Sequence, residues 1–375
     1  MRQCKLCLLS ERHPFGIHID AEGLCSGCRA FSDKKQNLQH FNAIDYDKVL
    51  RKITADTGHE INRAIVPLQF DNETHFVIDS LLAMGIQPIV VYFNAQYHDQ
   101  LTFNYLSNLQ EIFDVDFIGL TLPKHILQKL VMENIISNGN PRKFEIIGQY
   151  AAALFVADAL NIPNIVSGPL QSSEVVGNIS WKYPSKLTFP EFADRIVVHS
   201  ISAYESTVIQ GVNSPFSTAF RPDTLMKMID KINWRFLGDY IFWDSVQIND
   251  AYRDKYQFEP RHIPGYGSEY QAISSSLKLN EFELIRLMHG FEPRILSYLC
   301  RDIRSNVITR ERAETILIEY CEKDWQIGHL SEFLEVPCTN IGDVFSLLMK
   351  KCGSKFSIRC SSNGDSVMSH GQMIK

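Results

Sequence analysis

The sequence predicts an α/β protein: a parallel sheet covered by helices on both faces, preceded by a small metal-bound ribbon and followed by a helical part. Three observations carry this. Strand-length and helix-length apolar runs alternate between residues 64 and 166, two Cys-x-x-Cys pairs stand within the first 28 residues, and strand-length runs stop after about residue 215.

Cys4 and Cys7, then Cys25 and Cys28, are separated by seventeen residues. That is the spacing of a zinc site. Each pair sits on a tight turn that aims two thiolates at one ion, and four cysteines leave it no open position, so the site is expected to be structural. Between the pairs, Ile17 and Ile19 alternate with polar neighbours, and Asp20-Ala21-Glu22-Gly23 supplies a turn, which predicts a short hairpin. Two disulfides are the alternative. Met1-Arg2-Gln3 leads straight into Cys4 without an apolar leader, which favours a reducing compartment and a cytoplasmic location. The other cysteines, Cys300, Cys321, Cys338, Cys352 and Cys360, show no paired spacing and read as buried or free thiols.

Ser32 to His40 reads as a polar connector, placing a boundary near residue 45. Strands are expected at Ala64 to Leu68, Ile89 to Phe93, Phe117 to Leu122 and Ile162 to Val166. Helices are expected at Thr74 to Met84, His98 to Phe113, Lys124 to Ile136 and Lys143 to Leu160, with a further strand at Arg195 to His199. In the second half, Phe220 to Ile232 and Leu279 to Met288 read as helices, and a third starts after Thr309 as N-cap. Trp234, Phe236, Tyr240, Phe242 and Trp243 form either a core between lobes or a stacking wall for a sugar or base. From Gly353 the chain turns polar and reads as disordered. The expected units are thus 1–45 (ribbon), 46–215 (α/β), 216–352 (helical) and 353–375 (tail).

The chain has 375 residues and 45% hydrophobic content, ordinary for a globular protein, and no apolar run long enough for a membrane span. Its net charge of −6 provides no electrostatic footprint for nucleic acid.

Several blocks, in order, carry a family likeness. They are Cys4-x-x-Cys7 with Ile19-Asp20-x-x-Gly23-x-Cys25-x-x-Cys28; Ile65-Val66-Pro67; Pro88 to Asn94; Phe236-Leu237-Gly238-Asp239-Tyr240 running into Trp243-Asp244-Ser245; and Asp302-Ile303-Arg304-Ser305-Asn306-x-Ile308-Thr309-Arg310-Glu311. Over nearly the whole length to about residue 350 the chain resembles the N-acetyl sugar amidotransferases of bacterial surface-polysaccharide (lipopolysaccharide O-antigen) biosynthesis, of the PP-loop ATP pyrophosphatase superfamily. The resemblance implies a Rossmann-like PP-loop sheet with an amino-terminal zinc ribbon. It also implies ATP-dependent activation of an acetamido oxygen, and ammonia from a partner glutaminase delivered through a cyclase-like subunit to give an acetamidino sugar.

The family's ATP loop, Ser-Gly-Gly-x-Asp-Ser, would fall at Gln69-Phe70-Asp71-Asn72-Glu73-Thr74. Phe70 and Asp71 replace the glycines whose backbone closes on the phosphates. A carboxylate ~4–5 Å from a phosphate repels it by about 3–4 kcal/mol at an effective dielectric near 20. Asp71 or Asn72 instead suits an N-cap, with Glu73 at the positive end of the helix dipole. Pro141 to Glu145 lacks the family's cysteine motif, Gly168-Pro169-Leu170 stands for Gly-Glu-Asn, and Gly290 to Arg294 departs from Gly-Arg-Ala-Thr.

These losses predict a pseudoenzyme that has lost or altered ATP-dependent amidation, with ATP and magnesium bound only if the altered loop still takes them. Such a chain would bind an active paralogue, the ammonia-supplying subunits or a sugar nucleotide. The alternatives are an active amidotransferase with a remodelled site, and a zinc-containing tRNA-modifying PP-loop protein. Lys124, His125, Arg142 and Lys143 are placed to face the crevice at the strand ends or to lie solvated at helix starts. Trp243, Asp244, Arg304 and Arg310, in the best-matching blocks, are candidate ligand contacts. Arg304 can fork a phosphate or carboxylate, or pair with Asp302 or Glu311.

Overall fold

The computed structural model describes residues 2–11, 17–68, 72–98, 100–137, 140–168, 201, 203–257, 283, 285, 293, 295–322, 325–327, 333–335, 356–360 and 366–370. A five-stranded sheet forms its centre. Strands β2 (Arg63–Pro67), β3 (Gln87–Asn94), β4 (Asp116–Thr121), β5 (Asn164–Ser167) and β6 (Asn233–Phe236) lie in the order β4-β3-β2-β5-β6, and all neighbours are parallel.

Helices return the chain between strands, as parallel pairing requires. They are α3 (Asn72–Ala83), α4 (Gln100–Ile112), α5 (Lys124–Ser137) and α6 (Lys143–Ala159), then α7 (Ala203–Gln210) and α8 (Pro222–Ile229) between β5 and β6. Strand residues alternate between two cores. Ile65, Ile89, Val91, Phe93 and Ile165 share one with α5 and α6; Ala64, Val66, Val90 and Val166 face the other with α3, α4, α2 (Tyr46–Thr57) and α9 (Ser245–Tyr256). In β2, β3 and β5 both faces are buried, which is why these strands read as continuous apolar runs, whereas edge strand β4 is half-exposed.

The expected strands and helices up to residue 166 are present within one or two residues at most ends. Three expectations need correction. Ser32 to Asn37 is no connector: α1 (Ser26–Asn37) runs through it, burying Ala30 and Phe31 while Asp33, Lys35, Gln36 and Asn37 face outward. Strands do not stop at 215, because β6 joins the sheet beside β5, with Trp234 and Phe236 buried and Asn233 and Arg235 half-buried. The tail is not structureless either, since β9 (Phe356–Cys360) and β10 (Ser366–His370) pair antiparallel and β10 also pairs with β8 (Trp325–Ile327). Phe356, Ile358 and Cys360 alternate with polar residues, a period-two signal that the surrounding serines hide.

The expected helix at Phe220 to Ile232 is shorter, a 3₁₀ turn (Pro215–Phe220) leading into α8. Of Leu279 to Met288 only residues 283 and 285 are described, both helical, and Arg195 to His199 lies outside the described residues. The helix after Thr309 is α11 (Arg310–Glu322), and the Thr309 hydroxyl accepts from Arg312 N at 3.2 Å. It follows α10 (Ile295–Arg304). Among the described residues no helix is long and apolar enough to cross a membrane.

The amino-terminal segment is tied to the second half of the chain. Two-residue strands β1 (Gln39–His40) and β7 (Ile241–Phe242) pair in parallel, Phe31 meets Phe242 edge to face at 5.2 Å between ring centres, and Lys34 Nζ donates to the Gly238 carbonyl at 2.7 Å. The block Phe236 to Tyr240 is therefore a seat for α1. Trp234, Phe236, Tyr240, Phe242 and Trp243 are all buried, so the aromatic concentration is core.

Candidate metal centre and switch-point crevice

Cys4, Cys7, Cys25 and Cys28 converge, with every sulfur within 4.8 Å of the others and all four buried. Cys4 Sγ lies 3.8 Å from Cys28 Sγ, and Cys7 Sγ lies 3.6 Å from Cys25 Sγ. Neither pair is a disulfide, which needs about 2.05 Å. A tetrahedron with metal–sulfur bonds of about 2.3 Å has edges of about 3.8 Å, so the four thiols can hold a metal ion and their spacing is consistent with zinc.

Local sequence builds this geometry. Cys7 N donates to Cys4 Sγ at 3.5 Å and Cys28 N to Cys25 Sγ at 3.4 Å, the knuckle turns that two-residue spacing allows. Cys25 is also the N-cap of α1, so the helix fixes where Cys28 points. Ile19 and Cys25 form an antiparallel bridge closed by Asp20, which accepts from Leu24 N at 2.9 Å and pairs with Arg29 at 2.7 Å. Gly23, at φ 88°, occupies the left-handed position of that turn, where a side chain would also strike Lys5.

The thiols share their protons. Hydrogen bonds from Cys25 and Cys28 hold the Cys4 thiol below its ordinary value, while Cys25, Cys4 and Cys7 push the Cys28 thiol up. A divalent ion would take the place of the thiol protons.

Three residues of α10 and α11 complete the centre, and none was legible from spacing as its neighbour. Cys300, fully buried on α10, stands beside Cys7. Burial pushes its thiol up, but Cys7 and the nearby Arg304 charge prevail and hold it below the ordinary value. Arg310, the first residue of α11, donates Nη1 to the carbonyls of Cys4 at 2.6 Å and Cys7 at 2.8 Å. Arg304 is buried too. Burial disfavours its charge, yet Cys28, Cys7, Cys300 and Cys25 outweigh that and hold its guanidinium above the ordinary value. Arg310 thus lies at the metal ribbon, Arg304 within its electrostatic reach, and Asp302 pairs with Arg301 at 2.9 Å.

The second candidate region is the carboxyl end of the sheet. From β2 the chain builds β3 and β4 on one side and then crosses to β5 and β6 on the other, so β2 and β5 flank the topological switch point where open α/β sheets bind ligands. Gln69, Phe70 and Asp71, between β2 and α3, lie outside the described residues, as does the Asn72 side chain. The helix begins at Asn72. Glu73 and Thr74 are buried in its first turn, and Asn249 Nδ2 donates to Glu73 Oε1 at 3.4 Å.

Trp243 packs beside this end. Its ring lies 2.9 Å from where a Cβ on Gly168 would stand and 5.2 Å between ring centres from Phe76, and its buried indole N–H has no hydrogen-bond partner among the described residues. Asp244 caps α9, accepting from Val246 N at 3.1 Å and Gln247 N at 3.2 Å. The basic residues near the crevice are engaged: Lys124 with Glu335, Arg142 with Glu145, and Lys143 with Glu205. His125 is exposed. Trp243 and Asp244 are thus grouped near the crevice, far in sequence from Arg304 and Arg310 at the ribbon.

No protein-family model matches the chain, and no characterised protein sequence matches it significantly.

Proposed function

We propose that the chain is a cytoplasmic, catalytically silent relative of the N-acetyl sugar amidotransferases, carrying one structural zinc at Cys4, Cys7, Cys25 and Cys28 and acting by binding a protein of its pathway. One observation carries this reading. The segment emerging at the switch point, Gln69-Phe70-Asp71-Asn72, contains no glycine, and it leads into a helix whose first turn already holds the buried Glu73 carboxylate. A phosphate cradle of the family's kind needs glycines where this sequence has Phe70 and Asp71, and the carboxylates of Asp71 and Glu73 disfavour an anion.

Two of the blocks behind the family likeness support the same reading, because they are seats for the amino-terminal segment. Phe236 to Tyr240 receives α1, and Arg310 holds the knuckle carbonyls of Cys4 and Cys7. What the chain retains is the framework. The zinc has no open position, so it supplies folding free energy and no Lewis acid.

Calorimetric titration of the full chain with magnesium and ATP tests the proposal. No heat of binding is expected at millimolar nucleotide. Saturable micromolar binding at one site would overturn the silent reading in favour of a remodelled amidotransferase.

A further inference from the structure

The helix pair α10–α11 meets the ribbon across roughly three hundred residues of sequence, and the contact has a specific form. Arg310 hydrogen-bonds the ribbon's backbone. It reads two backbone carbonyls, of Cys4 and Cys7, with a single Nη1 at 2.6 and 2.8 Å. Both carbonyls can face one nitrogen only while the Cys4–Cys7 turn is closed, and that turn is closed around the metal ligands. A cation at the first position of a helix is otherwise on the wrong end of its dipole. The two charge-assisted bonds to the knuckle, with an ion pair to Glu314 at 3.1 Å, offset that cost.

Arg304 supplies the second half of the argument. It ends α10, one helical turn after Cys300, on the face that buries Leu296, Leu299 and Ile303 with the ribbon residues Leu8, Leu9 and Ile17 in one continuous core. That shared core seats α10 on the ribbon, as the two carbonyl bonds of Arg310 seat α11 on its knuckle, and a ribbon without its ion would loosen both contacts. Each event therefore changes the cost of the other.

We propose that metal occupancy governs the seating of the α10–α11 pair, with Arg310 and Arg304 as the positioning residues that couple the two. The inference rests on the four cysteines being a metal centre. By linkage, whatever the metal contributes to helix seating the seated helices contribute to metal affinity. A chain that loses its ion would then expose the 295–322 surface while its parallel sheet persists.

Hydrogen exchange on the full chain, zinc-loaded and after mild chelation, measures the first half. Peptides covering 295–322 should exchange at least about tenfold faster after stripping, with those covering β2 and β3 little changed. Arg310→Met and Arg304→Met measure the second half by competition for zinc against a chromophoric chelator, with cobalt substitution as a spectroscopic check. Affinity should fall about tenfold or more in each, while the cobalt–thiolate bands still report four sulfurs. Arg310→Lys, which keeps the charge and loses the forked geometry, serves if Arg310→Met fails to fold.

A parent chain with no bound metal and no cobalt spectrum would overturn the metal centre itself. A parent that binds zinc, with variants of equal affinity and exchange over 295–322 unchanged by stripping, would overturn the coupling and leave the centre standing.

Discussion

Replacing Glu145 with Gln should be among the most damaging single-atom-scale changes in the α/β half. Its carboxylate, buried at the start of α6, accepts from Tyr97 OH at 2.8 Å, from Arg142 Nε at 2.7 Å and from Arg142 Nη2. The side chains of Arg142 and Glu145 are 14% and 2% exposed, too little for water to replace the lost charge. Burial alone pushes the Arg142 charge down, and Glu145 is the first of the groups that hold it up. Removing one member of such a pair costs about 3–5 kcal/mol. At about 2–4 °C per kcal/mol for a chain of this size, the midpoint should fall by roughly 6–20 °C. Tyr97→Phe removes one donor and leaves the ion pair, so it should cost only about 1–2 kcal/mol. Thermal and urea unfolding followed by circular dichroism measure both variants. A Glu145→Gln variant within about 1 kcal/mol of the parent would refute the assignment of a desolvated, mutually dependent pair.

Asp244→Ala should destabilise by about 1–2 kcal/mol while Asp244→Asn keeps most of the stability, because the residue caps α9; near-parent stability in the alanine variant would return Asp244 to the candidate ligand residues. Gly148→Ala should lower the urea midpoint at unchanged slope, since the added methyl would enter the Phe93 ring where α6 lies on β3; overpacking of about 1–3 kcal/mol exceeds the roughly 1 kcal/mol gain in helix propensity. Tyr97, Tyr150, Tyr240 and Tyr252 all have phenols raised by burial, so the stability they hold is complete below about pH 10 and drains away as pH rises further. An alkaline titration in which stability is flat well past pH 10 would contradict this.

Strands β2, β3 and β5 and the helices around them were legible because each is buried on a full face, which writes apolar runs of the right length into the sequence; edge strand β4 is only half-buried at Phe117, Ile118 and Leu120, and those three residues carried its signal. The four thiols were legible because a knuckle is local: two residues of spacing already determine its turn. Strand β6 was hidden by its brevity, since Asn-Trp-Arg-Phe holds only two buried positions, and its place beside β5 depends on partners seventy residues away. Cys300, Arg304 and Arg310 were visible as residues but not as neighbours of the metal site. Their roles come from packing between opposite ends of the chain, and no periodicity records that. Ser32 to Asn37 shows the reverse failure: a helix with a narrow apolar face has the composition of a linker.

The most direct measurement is X-ray absorption at the zinc edge on the purified full chain. The account predicts one zinc per chain with four sulfur neighbours at about 2.3 Å and no oxygen or nitrogen in that shell. A shell of mixed ligands, or cysteines that purify metal-free as disulfides, would contradict a closed structural centre seated on Arg304 and Arg310.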